Sequence, residues 1–346
     1  MNMKVLYVSS LGARSSSKTR MATLQRMGHQ VTGLNCEEYY PRNKWWFKIV
    51  FRLVIGECVE RLNRDIIRLA IENRPDVFWA DKVLSLRPST LQTLTAMGIT
   101  NLSYMIDNAF GPRKDPGWRL YKKTIPFFDL HCTQRDVSIV DLKQRSAKDV
   151  IKIQTAYDRT SHFPPPASWS DANRNRGVSF IGTPYDDRAD FLSRLSDLGL
   201  PIVISGPRTA WRRALSEKHF NTMFREGELW DDAYREAIWK SRMNLSFITK
   251  GNQDEYSHKA FEIVGCGGFL LAERSEGHLE RFRDGEEAVF FSSLAECEEK
   301  IRLHLWDEEK RKRIAEAGRR RAELSGYHND AQLQLILDRL EHLNSR

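Results

Sequence analysis

The chain has 346 residues and a formal net charge of +8. This length accommodates two ordinary domains, because single hydrophobic cores stop growing at roughly 250–300 residues. The composition, with 41% hydrophobic and 10% aromatic residues, excludes a disordered chain. The most apolar stretch, Trp45 to Gly56, contains Lys48 and Arg52 and is shorter than the ~20 residues that a membrane span needs.

The N-terminal half predicts the alternating strands and helices of a parallel sheet. The predicted strands are Lys4–Ser9, Gln30–Leu34, Val77–Ala80, Asn101–Ile106, Phe128–Thr133 and Val150–Gln154. Helices are predicted at Ser15–Met27, at Lys44–Glu72 and from Pro88 onward. The five cysteines are scattered and form no CxxC or His/Cys cluster, which predicts free thiols and no metal site. The sequence starts with a predicted strand rather than a signal peptide. Together these features predict a cytoplasmic protein.

Three consecutive prolines, Pro164–Pro166, interrupt this pattern, and such a run fits neither a helix interior nor a central strand. The α/β pattern then restarts. Strands are predicted at Val178–Ile181, Ile202–Ser205, Leu245–Ile248, Phe269–Ala272 and Ala288–Phe291, and helices at Asp187–Leu198, Asp231–Ser241, Lys259–Cys266, Leu294–Leu305, Glu308–Leu324 and Asp330–His342. The fold class is therefore predicted to be α/β, with two Rossmann-like domains facing each other across a cleft.

The domain boundaries follow from the same pattern. We predict an N-terminal domain over residues 1–163, a linker over 164–176 and a C-terminal domain over 177–326. Residues 327–346 form a C-terminal helix that could pack back toward the N-terminal domain.

In parallel α/β sheets, ligands bind beyond the carboxyl ends of the strands, where loops lead into helix N-termini that favour anions. Gly12 and Arg14 follow the first predicted strand, in a turn that fits either a plain connection or a contact with the substrate in the cleft. Gly206 follows the strand Ile202–Ser205 and precedes a cation, Arg208. Alone, this second signal is weak.

A stronger signal follows the strand that ends at Ile181, where Gly182, Tyr185 and Arg188 lead into a helix. An arginine in the first turn of a helix is electrostatically unfavourable unless an anion also lies there, because the helix N-terminus is itself positive. The alternative is a structural ion pair with one of the two preceding aspartates.

The most informative segment runs from Lys250 to Leu271, where a polar loop precedes a short helix that ends in glycines. Its candidate residues are Lys250, Asp254, Ser257, His258, Lys259 and Glu262. His258, Lys259 and Glu262 can share one helical face. A carboxylate there can accept hydrogen bonds from two ribose hydroxyls while a lysine and backbone N–H groups hold phosphates. The alternative is an ordinary Glu–Lys pair on a helix surface.

This ordered set of motifs resembles the CgeB-like (spore maturation protein) glycosyltransferases, relatives of the group 1 glycosyltransferases of GT-B fold. The resemblance covers residues 178–328 well and extends loosely into the first half. The matching pieces are Phe180-Ile181-Gly182 with Arg188, Lys259-Ala260-Phe261-Glu262 with Cys266–Leu271, Phe282–Glu287 with Phe290, and Arg311–Arg321.

The resemblance implies an enzyme, a hexosyltransferase-like glycosyltransferase, with a nucleotide-diphosphate-sugar as co-substrate and no other cofactor. It implies that Glu262 binds the ribose, that Gly267 and Gly268 line the diphosphate, and that Arg188 and Lys259 neutralise it. The segment containing Gly227, Leu229 and Trp230 would lie near the base. Asp254 stands where the family carries the first of two glutamates, which leaves retention or inversion of stereochemistry open.

The chemistry of such a site needs a way to stabilise the leaving diphosphate. The sequence contains no Asp-x-Asp motif, so we expect a metal-independent reaction that uses cations, backbone N–H groups and a helix dipole. An inverting mechanism also needs a base to deprotonate the acceptor hydroxyl. Asp107, at the end of a predicted strand, is the candidate base, and a structural role in the following turn is the alternative.

Charge is unevenly spread, and this bears on the acceptor. Residues 1–166 hold 26 Lys and Arg against 15 Asp and Glu, whereas residues 167–346 carry a balance of −3. Within the basic half, the aromatic and cationic segment from Trp45 to Val54 fits either a membrane interface or a core helix whose cations reach the solvent. We expect a glycan or lipid-linked acceptor, with peripheral contact to anionic membrane at its inner face as a hypothesis.

The function predicted is synthesis of bacterial surface glycan or polysaccharide. One alternative is a non-catalytic nucleotide- or glycan-binding protein that kept the fold, since fold alone does not assign function. Another is a glycosyltransferase that acts on nucleic acid. The dispersed cations and the lack of a recognised nucleic-acid module disfavour that partner.

Overall fold

The structure is a computed structural model that describes residues 2–13, 15–111 and 117–344. The chain divides into two compact units. Unit 1 comprises the residues up to Gln154 together with those from Asn329 onward, and unit 2 comprises Thr155–His328.

The described part of unit 1 forms a parallel sheet covered by helices. Its strands are β1 (Lys4–Ser9), β2 (Gln30–Asn35), β3 (Val77–Asp81), β4 (Thr100–Tyr104), β5 (Leu130–Thr133) and β6 (Val150–Lys152). Its helices include α1 (Ser16–Arg26), α2 (Lys44–Leu53), α3 (Glu57–Asn73), α4 (Pro88–Ala96), α5 (Trp118–Thr124) and α6 (Asp136–Gln144), with 3₁₀ turns at Cys36–Tyr39 and Ile125–Phe127. The strand order is β2-β1-β3-β4-β5-β6, and every pairing is parallel.

Unit 2 repeats this architecture. Its strands are β7 (Arg176–Ile181), β8 (Ile202–Ser205), β9 (Phe224–Glu226), β10 (Ser241–Ser246), β11 (Leu270–Glu273) and β12 (Val289–Phe291). Its helices are α7 (Arg188–Asp197), α8 (Arg208–Ala214), α9 (Glu217–Met223), α10 (Asp231–Lys240), α11 (His258–Gly265), α12 (Glu276–Leu279), α13 (Leu294–His304) and α14 (Glu308–Leu324), with 3₁₀ turns at Asp171–Asn173 and Lys250–Asn252. The strand order is β12-β11-β10-β7-β8-β9, again with parallel pairings.

The last helix, α15 (Asn329–Asn344), belongs to unit 1. Its apolar residues Leu333, Ile336 and Leu337 are buried in one cluster with Val5 and Tyr7 of β1. Burial of this face against the unit 1 sheet explains why the chain returns there after completing unit 2.

The chain passes from unit 1 to unit 2 before the three prolines. Tyr157 is buried in a core cluster of unit 2, and its hydroxyl donates to Glu323 Oε1 at 2.7 Å. Thr155–Phe163, predicted with the N-terminal domain, thus lies in unit 2. The proline run itself is irregular backbone within that unit.

The single long helix predicted over Lys44–Glu72 is two helices, α2 and α3. Val54 ends α2 in the left-handed conformation, with φ 50°, and Gly56 at φ 108° precedes α3. Glycine adopts positive φ without steric cost, so Gly56 permits the break. A hydrophobic pattern that continues across the break concealed it.

The predicted strand Leu245–Ile248 is also shifted in the structure, where β10 spans Ser241–Ser246. Its polar residues Ser241 and Asn244 are buried, and Ser241 Oγ donates to Ser179 Oγ at 2.7 Å. Such satisfied polar residues do not appear in a hydrophobic pattern. The sequence also did not predict β9 or the helices α5, α6, α8, α9 and α12.

Two further predictions concern the cysteines and membrane-spanning segments. All five cysteines, each within the described residues, are free, and four of them are buried. None of the described helices is both long and apolar enough to span a bilayer.

Candidate functional site

The candidate site of unit 2 lies where its strand order reverses. The first strand of the unit, β7, pairs with β8 on one side and with β10 on the other. Open parallel sheets bind ligands at the carboxyl ends of the strands that flank such a switch point. The loops that leave β7 and β10 at this edge carry Gly182 and Arg188 in one case and Lys250–Lys259 in the other.

Arg188 joins these two loops. It is 7% exposed, and its guanidinium donates to Ile248 O at 3.2 Å and to Thr249 Oγ1 at 3.1 Å. Its Nε is buried and has no hydrogen-bond partner among the described residues. The predicted alternative, an ion pair with the adjacent aspartates, is not formed, because Asp186 accepts from the Lys250 N–H and Asp187 pairs with Lys250 Nζ.

Lys259 is the second cation at this edge. Its Cε lies 3.6 Å from the position that a Cβ on Gly182 would occupy, and its Nζ lies 4.7 Å from the ring centroid of Tyr234. Burial lowers the pKa of Lys259 against the opposing effect of Glu262, and the charge of Arg188 lowers it further. Within the part of the chain that the structure describes, neither cation forms an ion pair with a carboxylate, although Glu262 and Asp254 act on them electrostatically.

Glu262 lies one helical turn beyond Lys259, with 15% of its side chain exposed. Its Oε2 accepts a hydrogen bond from Tyr234 Oη at 2.6 Å, and its Oε1 lies 3.0 Å from His258 Nε2 and 3.9 Å from His162 Nε2. Burial raises the pKa of this carboxyl, but the charge and hydrogen bond of His258 together with the charges of His162 and Lys259 outweigh burial, and the pKa lies well below its usual range. Glu262 is therefore an ionised, oriented acceptor.

The helix α11 begins at this edge. Ser257 precedes its first turn and is held by two contacts: its Oγ bonds to Ser246 Oγ at 2.7 Å, and its N–H donates to His278 Nε2 at 3.0 Å. His258 Nδ1 contacts the Thr155 hydroxyl. These contacts fix the entry to α11, whose first N–H groups carry the positive end of the helix dipole.

The backbone of Gly206 packs closely against the loop that follows β7. It has φ 156°, and a Cβ at this position would lie 2.1 Å from Gly182 O and 2.8 Å from Trp211 Nε1. Trp211 Nε1 donates to the same carbonyl at 2.8 Å. The close approach of Gly182 thus requires a glycine at position 206, and its contact with the donor stays a prediction.

Three further predicted residues lie around Arg188. Tyr185 is 55% exposed, with its ring centroid 5.6 Å from the Arg188 guanidinium. Asp254 interacts electrostatically with Arg188, and its N–H donates to Thr249 O at 3.4 Å. Lys250 is exposed and paired with Asp187. The structure therefore gathers most of the predicted donor residues at one edge.

The predicted base-binding segment precedes α10. Gly227 is exposed, Leu229 packs against a core cluster and Trp230 is 38% exposed. Trp230 O accepts the Tyr234 N–H at 3.3 Å, which places this segment one helical turn from the tyrosine that contacts Glu262.

The glycines predicted to line a diphosphate are not part of this edge. Gly267 and Gly268 follow the C-terminus of α11 and precede β11, so they lie at the amino edge of the sheet. A Cβ on Gly267 would lie 3.1 Å from Pro164 Cβ, and one on Gly268 would lie 2.7 Å from Ile238 Cγ2. Both glycines allow close packing against their neighbours. The length of α11 separates them from Lys259, which lies in the first turn of that helix.

In unit 1, the predicted residues also lie at the carboxyl edge of the sheet. Gly12 follows β1, and a Cβ on it would lie 3.4 Å from Glu37 Oε2. Asp107 Oδ2 forms an ion pair with Lys82 Nζ at 2.6 Å. Arg14 lies outside the described residues.

Sequence reasoning missed Tyr234, His162 and Thr249. Tyr234 stands in a helix predicted only as an element, and its hydroxyl reaches Glu262 from 28 residues away. His162 precedes the prolines, and its ring packs edge-on against Tyr234 at 6.0 Å. Pairings between distant segments leave no local signal in a single sequence.

A metal site is a separate question. Among residues 2–13, 15–111 and 117–344, no group of three or more His, Cys, Asp and Glu side chains could hold a metal ion.

Comparison with known proteins identifies the type of domain. Residues 188–338 match the model of the family described as Glycosyl transferase-like. No curated protein sequence is similar enough to match the chain. The family match confirms the prediction of a glycosyltransferase-type domain in this part of the chain.

Solved structures extend the likeness to the whole chain. Sucrose-phosphate synthase from Thermosynechococcus elongatus has a TM-score of 0.68 at 10% identity, covering 100% of both chains. Anabaena HepE in complex with UDP-glucose has a TM-score of 0.69 at 12% identity, covering 99% of this chain and 100% of that one. A UDP-forming α,α-trehalose-phosphate synthase from Burkholderia xenovorans has a TM-score of 0.65 at 14% identity, covering 99% of both. The predicted GT-B fold is confirmed.

Proposed function

We propose that the protein transfers a sugar from a nucleotide-diphosphate-sugar to a hydroxyl acceptor. The observation that carries the proposal is the pair of cations, Arg188 and Lys259, which forms no ion pair among the described residues and lies at the same sheet edge as the ionised Glu262. The family match over residues 188–338 and the likeness to a structure that binds UDP-glucose support a nucleotide sugar as the donor.

The proposed roles in donor binding follow from the contacts. Glu262 accepts from Tyr234 and His258, and a carboxylate has lone pairs for further hydrogen bonds, so ribose hydroxyls can bind there. Arg188 and Lys259 hold the diphosphate. Trp230, exposed at the start of the helix that carries Tyr234, is placed to contact the base.

The proposed chemistry places the developing negative charge on the leaving diphosphate. Two cations and the N-terminus of α11 would stabilise that charge without a rearrangement during the reaction. We propose on this basis that transfer is metal-independent. Activity that survives an excess of EDTA supports this proposal, and activity lost to EDTA and restored by Mg²⁺ or Mn²⁺ contradicts it.

A further part of the proposal concerns the acceptor. Asp107, held by Lys82, is the proposed base for an inverting reaction. The proposal also includes the CgeB-like assignment and a role in bacterial surface glycan synthesis, with a glycan or lipid-linked acceptor. These finer statements come from the sequence resemblance.

We also propose that α2 contacts an anionic membrane. Trp45 is 77% exposed and Trp46 58%, and Ile49 and Leu53 on the same helix are about half exposed. Lys48 Nζ lies 5.5 Å from the Trp45 ring. A helix with exposed aromatic residues and cations fits the interface of an anionic bilayer.

Flotation with liposomes tests this contact. We expect salt-sensitive association with anionic vesicles, reduced by the double substitution Trp45→Ser and Trp46→Ser. The matched control is Trp306→Ser, which changes a tryptophan that is 72% exposed in unit 2. Association that is absent, or equal in all three proteins, contradicts the contact.

A thermal-shift screen against UDP-, GDP-, dTDP- and CMP-sugars tests the central proposal, because a ligand that binds the native state raises the melting temperature. Hydrolysis of the stabilising donor without acceptor would then identify an enzyme. Binding without turnover across a broad acceptor panel would favour the non-catalytic alternative. No stabilisation by any nucleotide sugar would contradict donor binding.

A further inference from the structure

A cavity of about 730 Å³ lies within unit 2, on the opposite edge of its sheet from Arg188 and Lys259. Its lining includes Arg174, Arg242 and Phe269, which lie at the amino ends of β7, β10 and β11. The cavity is therefore distinct from the candidate donor site, which occupies the carboxyl edge.

One wall of the cavity is apolar. It is formed by Pro164–Pro166, Trp169 and Phe269. Trp169 is anchored by its Nε1, which donates to Trp239 O at 3.3 Å. Gly267 also lines this wall with φ 68°, and its lack of a side chain lets Pro164 pack closely. This wall offers an organic group a rigid surface that holds no charge.

A second part of the lining is a network of ion pairs centred on Asp171. Asp171 lies 2.5 Å from Arg311, 3.5 Å from Arg242 and 3.6 Å from Arg174. Arg311 also donates to His304 O at 2.7 Å. The Asp171 N–H donates to Glu308 Oε1 at 3.2 Å. Asp171 thus links the three arginines to one another, with only Arg242 Nε left without a hydrogen-bond partner among the described residues, and we assign this network a structural role.

The third part of the lining is a set of cations on α14 that lacks such partners. Lys312, Arg319 and Arg320 line the cavity, and none forms an ion pair with any residue that the structure describes. Arg319 Nε is buried without a hydrogen-bond partner among those residues. Spacings of seven and eight residues put these side chains on one helical face.

The two acidic residues beside these cations differ in their availability. Glu323 lies 3.1 Å from Arg159 and accepts from Tyr157 Oη at 2.7 Å, so it is engaged elsewhere. Glu316 lines the cavity, is exposed, and forms no ion pair with any described residue. Three cations thus face one available carboxylate, and this part of the cavity is positively charged.

We propose that this cavity binds a phosphate ester with an apolar moiety. The phosphate would bind Arg319, Arg320 and Lys312, because guanidinium groups match phosphate oxygens in a two-pronged geometry. The apolar moiety would lie on the proline and Phe269 wall. Both a lipid headgroup and a soluble phosphate ester present this chemistry.

Calorimetric titration with octyl phosphate and with inorganic phosphate tests the proposal. We expect octyl phosphate to bind more tightly, and the double substitution Arg319→Gln and Arg320→Gln to weaken it by about tenfold or more. The matched control is Arg313→Gln, an exposed arginine of α14 that does not line the cavity. The melting temperature of each variant shows whether it folds, and a variant with Lys at both positions should retain part of the affinity.

The two ligand sources are separated by vesicles that contain phosphatidic acid. Because α2 is unchanged in both variants, vesicle binding that falls in the double variant but not in Arg313→Gln identifies a lipid headgroup. Loss confined to octyl phosphate identifies a soluble ester. Either result supports the site, and Glu262→Ala should change neither. Octyl phosphate that fails to bind, or that binds the double variant and the wild type equally, would overturn it.

Discussion

The phenolic hydroxyl of Tyr234 donates a hydrogen bond to Glu262 Oε2 at 2.6 Å. The ring of the same tyrosine lies 4.7 Å from Lys259 Nζ. One side chain of α10 therefore positions both the carboxylate assigned to the ribose and the cation assigned to the diphosphate. Burial and the charge of Glu262 raise the pKa of Tyr234 well above its usual range, so the hydroxyl stays a donor.

The two functions of Tyr234 can be separated by substitution. Tyr234→Phe removes only the hydroxyl, and we expect a loss in donor affinity of about 1 kcal/mol, or roughly fivefold. Tyr234→Leu also removes the ring beneath Lys259, and we expect a further loss of about 0.5–2 kcal/mol. Calorimetric titration with the donor measures both.

A matched control for this pair is Tyr39→Phe. Tyr39 Oη donates to Asp65 Oδ2 at 2.7 Å, so the substitution removes a similar tyrosine–carboxylate bond in unit 1, to which no donor contact is assigned. We expect no change in donor affinity. Equal affinities for Tyr234→Phe, Tyr234→Leu and wild type would show that Tyr234 does not position the donor site.

Glu262→Ala should weaken donor binding by about 100-fold, because it removes an acceptor for two ribose hydroxyls and hydrogen bonds to charged groups contribute about 1.5–3 kcal/mol each. Calorimetry measures the affinity and thermal unfolding measures the fold. Glu309→Ala, at an exposed position of α14, is the control. Unchanged affinity in a folded Glu262→Ala protein would remove this assignment.

Much of the carboxyl edge of unit 2 could be predicted from the sequence. Arg188 and Lys259 follow strands that a hydrophobic pattern predicts, and the topology of a parallel sheet brings such loops together. Glu262 was predicted because it shares a helical face with Lys259. These inferences use only local spacing and the alternation of strands and helices.

The remaining features depend on contacts between distant segments. Gly267 was assigned to a ligand, yet its neighbour is Pro164 across the amino edge. Tyr157 belongs to unit 2 because its ring and hydroxyl are buried there, although it precedes the proline run. Neither pairing has a periodicity or spacing that a single sequence displays.

Lys259 predicts a pH dependence of donor binding. Its pKa lies below the ordinary lysine value of about 10.4. A lysine loses its charge as the pH rises through its pKa. Affinity for the nucleotide diphosphate should therefore begin to fall at a lower pH than it would if Lys259 had the ordinary lysine pKa. Lys259→Arg should remove this dependence, since a guanidinium stays charged.

Calorimetric titration with UDP from about pH 7 to about pH 10 checks this prediction, because the range includes the alkaline side of neutrality up to the ordinary lysine value. Lys218→Arg, at a side chain that is 78% exposed on α9, is the control and should leave the wild-type profile unchanged. An identical decline in the wild type and in Lys259→Arg would show that another group titrates.

Gly206→Ala should destabilise the protein and weaken donor binding together. The added Cβ would meet Gly182 O at 2.1 Å, and relieving such a clash costs about 1–3 kcal/mol. Displacement of Gly182 would also move the backbone against which Lys259 Cε packs. Gly251→Ala, where a Cβ meets nothing within 4 Å, is the control for the melting temperature. Thermal unfolding and calorimetry measure the two effects, and an unchanged melting temperature would contradict the close approach.

Asp107→Asn tests the proposed base. A general base contributes about 10²- to 10⁴-fold to a rate, so the amide should reduce sugar transfer by that order. Donor affinity should not change, because the donor assignments lie on unit 2. Initial rates at saturating donor and a calorimetric titration distinguish the two effects.

The control for Asp107 is closely matched within unit 1. Asp129 is 25% exposed and pairs with Lys148 at 2.8 Å, whereas Asp107 is 24% exposed and pairs with Lys82 at 2.6 Å. Asp129→Asn removes an equivalent ion pair away from the carboxyl edge and should leave transfer intact. Equal rates for the two variants would show that Asp107 only holds Lys82, and that the acceptor proton leaves by another route.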